Sequence, residues 1–285
     1  MPNQRIVGIV LVRDEDVFVE QAVRNVTAFC DELLLVDHRS ADDTTATLTR
    51  LAEELPHARL HRIKRTHESH ELLLSYVGTP TWVFGVDGDE LYDPVGLRNF
   101  RDRLLSDEFD DCWLLKGIQL HCRGLDLDNE VAEGWLAPPA RSTTMLYNFD
   151  VIASWEGHAV ERFLGGTTTQ RRPVTGDGTC WIRDEAPWDL ASFRCLHVCF
   201  LKRTSRQRPG QVTRPSIPDL RNRSLRQRVA ASVLGREPES WWKLNKYTQG
   251  EPTTVAVPGF ISTEQRARLA QLDVNIWRTE APQTA

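Results

Sequence analysis

The 285-residue chain sets 35 Lys and Arg against 40 Asp and Glu, a formal net charge of -5, with 40% hydrophobic and 26% charged residues. These proportions are those of a globular chain with a core. The mild acidity gives no general attraction to nucleic acid, so any phosphate binding must come from a local site. No apolar run approaches the roughly 20 residues of a membrane helix. The opening MPNQRIVGIV has no basic region, apolar core and cleavage site in the order of a signal peptide, so the expected location is cytoplasmic. Cys30, Cys112, Cys122, Cys180, Cys195 and Cys199 are too sparse for a disulfide framework, and reduced thiols are expected.

Residues 5–12 (RIVGIVLV) are a continuous run rich in β-branched residues, the pattern of a strand covered on both faces. Apolar residues at helical spacing follow at 15–29. A second strand is expected at 32–36. A helix is expected at 40–55, opened by Ser40 with Asp43 three residues on. A third strand at 59–63 and a third helix at 68–77 precede a fourth strand at 81–86, which runs into Asp87-Gly88-Asp89-Glu90. Alternating strands and helices with short links predict an α/β fold: a mostly parallel sheet with helices on both faces.

Beyond residue 110 shorter strands are expected at 112–120, 143–148, 178–182 and 194–201, read as a mixed extension of the same sheet. Residues 202–228 hold nine Lys or Arg against one acid, Asp219, with Pro209, Pro215 and Pro218 marking a loop. Helices are expected at 220–234 and from Ser262, where Gln265 completes a capping box.

Ligands of parallel α/β sheets bind beyond the carboxyl ends of the strands. Three polar clusters fall there: Arg13-Asp14-Glu15, Asp37-His38-Arg39 and Asp87-Gly88-Asp89-Glu90. Two carboxylates flanking a small residue suit a hard cation such as Mg²⁺ or Mn²⁺, which prefers oxygen ligands and can neutralise charge developing on a diphosphate. Gly88 would let the backbone bend close to a ligand. An isolated D-x-D can equally be a solvated acidic turn.

Three segments, VRDEDVFVEQAV, LLLVDHRSADDTT and WVFGVDGDELYD, together resemble the family-two glycosyltransferases of the GT-A (Rossmann-like) fold. The resemblance covers roughly the first third of the chain well. It implies that Arg13, Glu15, Asp37 and Arg39 line a nucleotide pocket, that Asp87 serves the ribose and the metal, and that Asp89 binds the metal. It also implies a metal-ligating His on a late strand, for which His197 is the candidate. Two features depart from the family pattern: Asp14 stands where Asn is commoner, and HESHELLLSYVG lacks an Arg-Asn pair often found there.

Period-two spacing would put Cys195, His197 and Cys199 on one strand face. A zinc site or a core histidine between thiols are the competing readings. Lys202, Arg203 and Arg206 could fold over the diphosphate as a cationic lid. For the general base of an inverting transfer the choice is Glu161, with Glu156 and Asp184 behind it. Trp155 suits core packing better than sugar stacking.

The implied division is a nucleotide-sugar-binding half at 1–112, an acceptor-binding half at 113–201, and a basic loop with a helical C-terminal extension at 202–285. The expected reaction is transfer of a sugar from a nucleotide diphosphate sugar to a hydroxyl acceptor: a saccharide, a lipid-linked sugar or a small natural product. Peripheral membrane contact is compatible with this, without a transmembrane segment, and no nucleic-acid partner is expected. The rivals are a non-catalytic nucleotide- or sugar-binding domain and a phosphatase of the haloacid-dehalogenase type. The phosphatase would need its Asp pair after the first strand, where RDED lacks the following Thr or Val.

Overall fold

Strands β1 (Arg5–Val12), β2 (Glu32–Asp37), β3 (Ala58–Arg62) and β4 (Thr81–Asp87) form a parallel set in the spatial order β4-β1-β2-β3. In this computed structural model residues 4–65, 67–157, 166–174, 176–207 and 241–272 are described; for 156–157, 166–169 and 241–242 only the backbone is. Alternate residues of the strands feed two separate cores. Ile6, Val10, Leu33 and Leu35 pack with helices α1 (Val19–Thr27) and α2 (Thr44–Glu54). Val7, Ile9, Leu34 and Val36 pack with Leu73, Tyr76, Phe149 and Trp155 on the opposite face. The continuous apolar runs of the sequence are thus consumed on both sides, and the expected α/β class with a mostly parallel sheet is what forms.

Some local expectations shift. The second helix begins at Thr44 after Asp43, and Ser40 instead accepts a hydrogen bond from the Asp14 amide at 2.9 Å. The third helix spans only Glu68–Glu71 (α3), followed by a 3-10 turn at Leu74–Tyr76. A helix not anticipated, α4 (Pro94–Leu104), starts from Asp93, whose side chain accepts from Val95 N, with Pro94 in the first turn where its missing N–H is harmless. Its Phe100 stacks on Phe193 at 4.7 Å between ring centroids. Each such fully buried aromatic stabilises the fold by about 1.5–3 kcal/mol.

The later strands do not simply extend the first sheet. Three join it: β6 (Leu114–Leu115), β9 (Met145–Asn148), the antiparallel member beside β4, and β12 (Thr179–Cys180). Five others make a separate sheet in the order β14-β8-β7-β13-β5: β5 (Glu90–Tyr92), β7 (Ile118–Asp126), β8 (Val131–Ala137), β13 (Arg194–His197) and β14 (Thr253–Ala256). Residues 112–120, expected as one strand, break at Lys116 and Gly117 so that β6 and β7 enter different sheets. A hairpin of β10 (Ile152–Gly157) and β11 (Gly166–Gln170) stands apart from both.

Parallel pairing of β6 with β12 brings Cys112 and Cys180 to a Cα separation of 6.0 Å, and they form a disulfide across 68 residues. The expectation of six reduced thiols is corrected there. Cys30, Cys122, Cys195 and Cys199 are buried thiols. The helix expected at 220–234 and the proline-marked loop lie outside the described residues. Two further helices, Trp241–Tyr247 and Thr263–Gln271, are described. Ser262 caps the second as expected, accepting from Gln265 N at 3.2 Å, while the Gln265 side chain donates to the Val17 carbonyl rather than back to the cap. No described helix is long and apolar enough to cross a membrane.

Candidate functional site

The turn after β4 delivers Asp87, half-buried, and Asp89, 2% exposed, to the junction of the two sheets, because β5 leaves that turn to pair with β13. Gly88 sits there with an ordinary backbone, so conformational freedom is not its role. A Cβ on it would lie 2.7 Å from Val12 Cγ1 and 2.9 Å from Glu15 Cβ. Its contribution is space for Glu15. Glu90 is buried and holds the turn: Oε2 accepts from the Asp87 amide at 3.1 Å, and Oε1 accepts from Thr143 Oγ1 at 2.9 Å.

Asp89 is enclosed by cations. The Arg203 guanidinium donates to its Oδ2, and His197 Nε2 stands 3.4 Å from the same oxygen. Arg203 also reaches Glu15 Oε1 at 3.5 Å. Burial works against an ionised Asp89, but Arg203 and then His197 outweigh it and hold the carboxyl well below the usual range. Burial likewise opposes charge on His197, yet Cys199 and Asp89 raise its pKa well above the ordinary value. Lys243, from the helix Trp241–Tyr247, lies close enough to feel Arg203, Asp89 and Glu15, and burial lowers its pKa.

Residues 201–207 cross the strand ends as a strap. Val17 N donates to the Arg203 carbonyl at 3.1 Å, Thr204 Oγ1 to Asp42 at 2.6 Å, Ser205 N to Asp16 at 2.7 Å, and Arg206 Nη1 to the Ala41 carbonyl at 2.7 Å. Of the expected cationic lid, Arg203 is turned inward to Asp89, Arg206 is tied to a carbonyl, and Lys202 is half-buried.

Arg13 and Arg39 are exposed at the ends of β1 and β2. Asp14 and Arg39 have φ of 53° and 59°, the left-handed region that non-glycine residues rarely adopt. Asp and Asn are the side chains that best tolerate it, which accounts for either at position 14. Asp37 is buried and accepts from Ser40 N at 3.1 Å and Thr45 Oγ1 at 2.9 Å. Asp14 and Asp16 accept loop hydrogen bonds, from Ala41 N and from Ser205 N.

Glu161 lies outside the described residues, as does the Glu156 side chain, and Asp184 is exposed beside Arg183. Trp155 is core, packed against Phe149 at 5.3 Å and Tyr147 at 5.9 Å. Cys195 and His197 share a face of β13 as expected, but the strand ends at His197 and Cys199 lies in the turn beyond it. Cys195 turns to the aromatic core near Gln119, whereas His197 and Cys199 group with His121. His121, Lys243 and Tyr247 were not anticipated. His121 sits on β7 opposite His197 in a parallel register, a pairing that no sequence spacing reveals.

A carboxylate oxygen and an imidazole nitrogen 3.4 Å apart, with a second carboxylate two residues away, fit the donor set of a divalent cation once the guanidinium leaves Asp89 Oδ2. In the arrangement observed, Arg203 provides the positive charge there.

The chain matches no protein-family model and no curated protein. Solved structures resemble it over part of its length. A mannosyltransferase from Pyrobaculum calidifontis in complex with GDP-Man and Mn²⁺ is 18% identical over 40% of this chain and 35% of its own, with a TM-score of 0.32. A glucosyl-3-phosphoglycerate synthase from Mycobacterium tuberculosis in complex with phosphoglyceric acid is 19% identical over 55% and 62%, with a TM-score of 0.33. A 4-diphosphocytidyl-2C-methyl-D-erythritol synthase from Anaerococcus prevotii is 12% identical over 52% and 71%, with a TM-score of 0.34. The chain therefore spans about a third of the length of the mannosyltransferase it partly resembles.

Proposed function

We propose that this chain is a glycosyltransferase that takes a sugar from a nucleotide diphosphate sugar and passes it, with inversion, to an acceptor hydroxyl. The observation that carries the reading is the contact of Arg203 with Glu15 and Asp89, and of Asp89 with His197, beside the carboxyl ends of β2 and β4 that bear Asp37 and Asp87, where α/β sheets bind ligands. Asp37, Arg13 and Arg39 would bind the nucleoside end of the donor. Mn²⁺ or Mg²⁺ would be held by Asp87, Asp89 and His197 and would supply positive charge against the departing diphosphate. Arg203 would exchange its contacts with Asp89 and Glu15 for phosphate oxygens, and Lys202 would add a second cation. Glu161 would take the proton of the acceptor hydroxyl as it attacks the anomeric carbon.

The Asp89–Arg203 pair also favours a second reading, a donor-binding domain without turnover, because it takes the carboxylate oxygen that a cation needs. One set of measurements separates the two. Nucleotide diphosphates that bind the folded state raise its melting temperature by mass action, and under both readings at least one does so in Mn²⁺. Under the enzyme reading, slow hydrolysis of the matching nucleotide sugar accompanies binding and falls at least about 100-fold in Asp89→Ala. Glu161→Gln then loses transfer while retaining the thermal shift. If no nucleotide shifts the melting temperature under any metal condition, the donor site is wrong.

A further inference from the structure

His197 has two ring nitrogens, and each meets a different partner. Nε2 faces Asp89, and Nδ1 lies 2.8 Å from Nδ1 of His121. The other nitrogen of His121, Nε2, lies 2.8 Å from the Arg141 carbonyl oxygen. A carbonyl only accepts, so His121 carries its proton on Nε2 and presents the Nδ1 lone pair to His197. The Cys199 sulfur completes the group: one ligand atom from each of His121, His197 and Cys199 falls within 4.8 Å of the others, and all three residues are buried. Tyr247 stacks on His121 at 4.3 Å and closes that side.

We propose that His121, His197 and Cys199 form a transition-metal site that takes zinc, with Asp89 orienting His197 rather than ligating. Two imidazoles and a thiolate are soft or borderline donors, which select Zn²⁺ over Mg²⁺ and Mn²⁺. Three protein ligands leave a fourth tetrahedral position for a water or a substrate oxygen. The surroundings are those of a ligating histidine: the Arg141 carbonyl fixes the His121 tautomer, and Asp89 Oδ2 stands 3.4 Å from His197 Nε2, on the side where a carboxylate–histidine–metal arrangement has its carboxylate. Zinc ligated at about 2.0–2.1 Å by each nitrogen holds two imidazole nitrogens about 3.3 Å apart at the tetrahedral angle, so the rings need part by only about half an ångström.

The site stands independently of the donor reading. If both hold, His197 serves zinc through Nδ1, and the hard cation beside the diphosphate rests on Asp87 and Asp89.

The test uses the full chain and the metals alone. After dialysis against a weak chelator, about one equivalent of zinc per chain is expected by elemental analysis. Replacement by Co²⁺ should give a thiolate-to-cobalt charge-transfer band in the near ultraviolet. Cys199→Ser should abolish that band, and Cys30→Ser, a buried thiol elsewhere, should keep it. His121→Ala and Asp89→Asn should each weaken zinc about 10–100-fold. A folded, unaltered chain that takes up neither ion, or that binds cobalt without the band, overturns the proposal whatever the variants do. Retention of the band in Cys199→Ser overturns it too. Nucleotide binding in Mn²⁺, measured on the same preparation, reports the donor reading separately.

Discussion

Replacing Arg203 by Met should be among the most destabilising single changes in this protein, and its effect should depend on pH. The guanidinium is 7% exposed and Asp89 3%, so solvent does little to screen the pair. Removing one partner of a buried ion pair strands the other charge and costs about 3–5 kcal/mol. Glu15 loses its 3.5 Å contact as well, while Met fills most of the volume and keeps the cavity cost small. With a urea slope of about 3 kcal/mol per molar, the midpoint should fall by about 1–1.7 M at pH 7. The depressed pKa of Asp89 gives the natural protein stability that is complete above the unfolded carboxyl pKa of about 4 and is lost as pH falls further. The variant has lost the main cause of that depression. Its buried carboxyl gains by protonation, and the gap between the two proteins should narrow as pH falls through about 4. Urea unfolding in EDTA, followed by tryptophan fluorescence at several pH values, measures both effects. A midpoint shift below about 0.3 M, equal at pH 7 and pH 4, would refute the claim that the pair is buried and ionised.

Gly88→Ala puts a methyl group 2.7 Å from Val12 Cγ1 and 2.9 Å from Glu15 Cβ, so it should lower stability by about 1–3 kcal/mol and displace Glu15. A variant as stable as the natural chain would show that the turn has room to spare. Reducing the Cys112–Cys180 disulfide opens a loop closed across 68 residues, worth about 4 kcal/mol in the chain-entropy account. Denaturant unfolding with and without dithiothreitol should differ by that order, and Cys112→Ser with Cys180→Ser should abolish the difference.

The first 90 residues were legible because each parallel strand is an unbroken apolar run and each connecting helix shows its own periodicity. The positions of the three polar clusters followed from that alternation alone. The second sheet was not legible. β13 is four residues long and lies between β7 and β5, whose paired residues are more than 70 positions earlier in the chain. Nothing in the sequence near His197 points to His121. Arg203 is visible in the sequence as a cation, but its partner is 114 residues away, so spacing alone does not distinguish a lid over a ligand from a lock on Asp89. Sequence spacing puts Cys195, His197 and Cys199 in one row, and Cys195 and His197 do share a face of β13, but Cys195 lies one pair further along it, against the aromatic core with Phe193, and Cys199, in the turn beyond the strand, joins the histidines.

The lock has a consequence for how the proposed ligands would bind. Asp89 Oδ2 cannot hold a cation while Arg203 donates to it, and Arg203 cannot meet a diphosphate while it holds Asp89. A diphosphate that draws the guanidinium away therefore uncovers the carboxylate, and a cation on that carboxylate releases the guanidinium to the phosphates. Each ligand removes a cost the other would otherwise meet, so they should bind with positive coupling beyond direct contact between phosphate and metal. Coupling of binding free energies is reciprocal. Mn²⁺ should tighten nucleotide diphosphate, and nucleotide should tighten Mn²⁺, by the same factor, of order 5–150-fold. In Arg203→Met the strap no longer blocks Asp89, so Mn²⁺ alone should bind more tightly than to the natural chain, while the coupling falls. Calorimetric titration of each ligand in the presence and absence of the other measures all four affinities. Mn²⁺ binding that is no tighter in Arg203→Met, in a variant that still folds, would mean that Arg203 does not compete with the cation for Asp89.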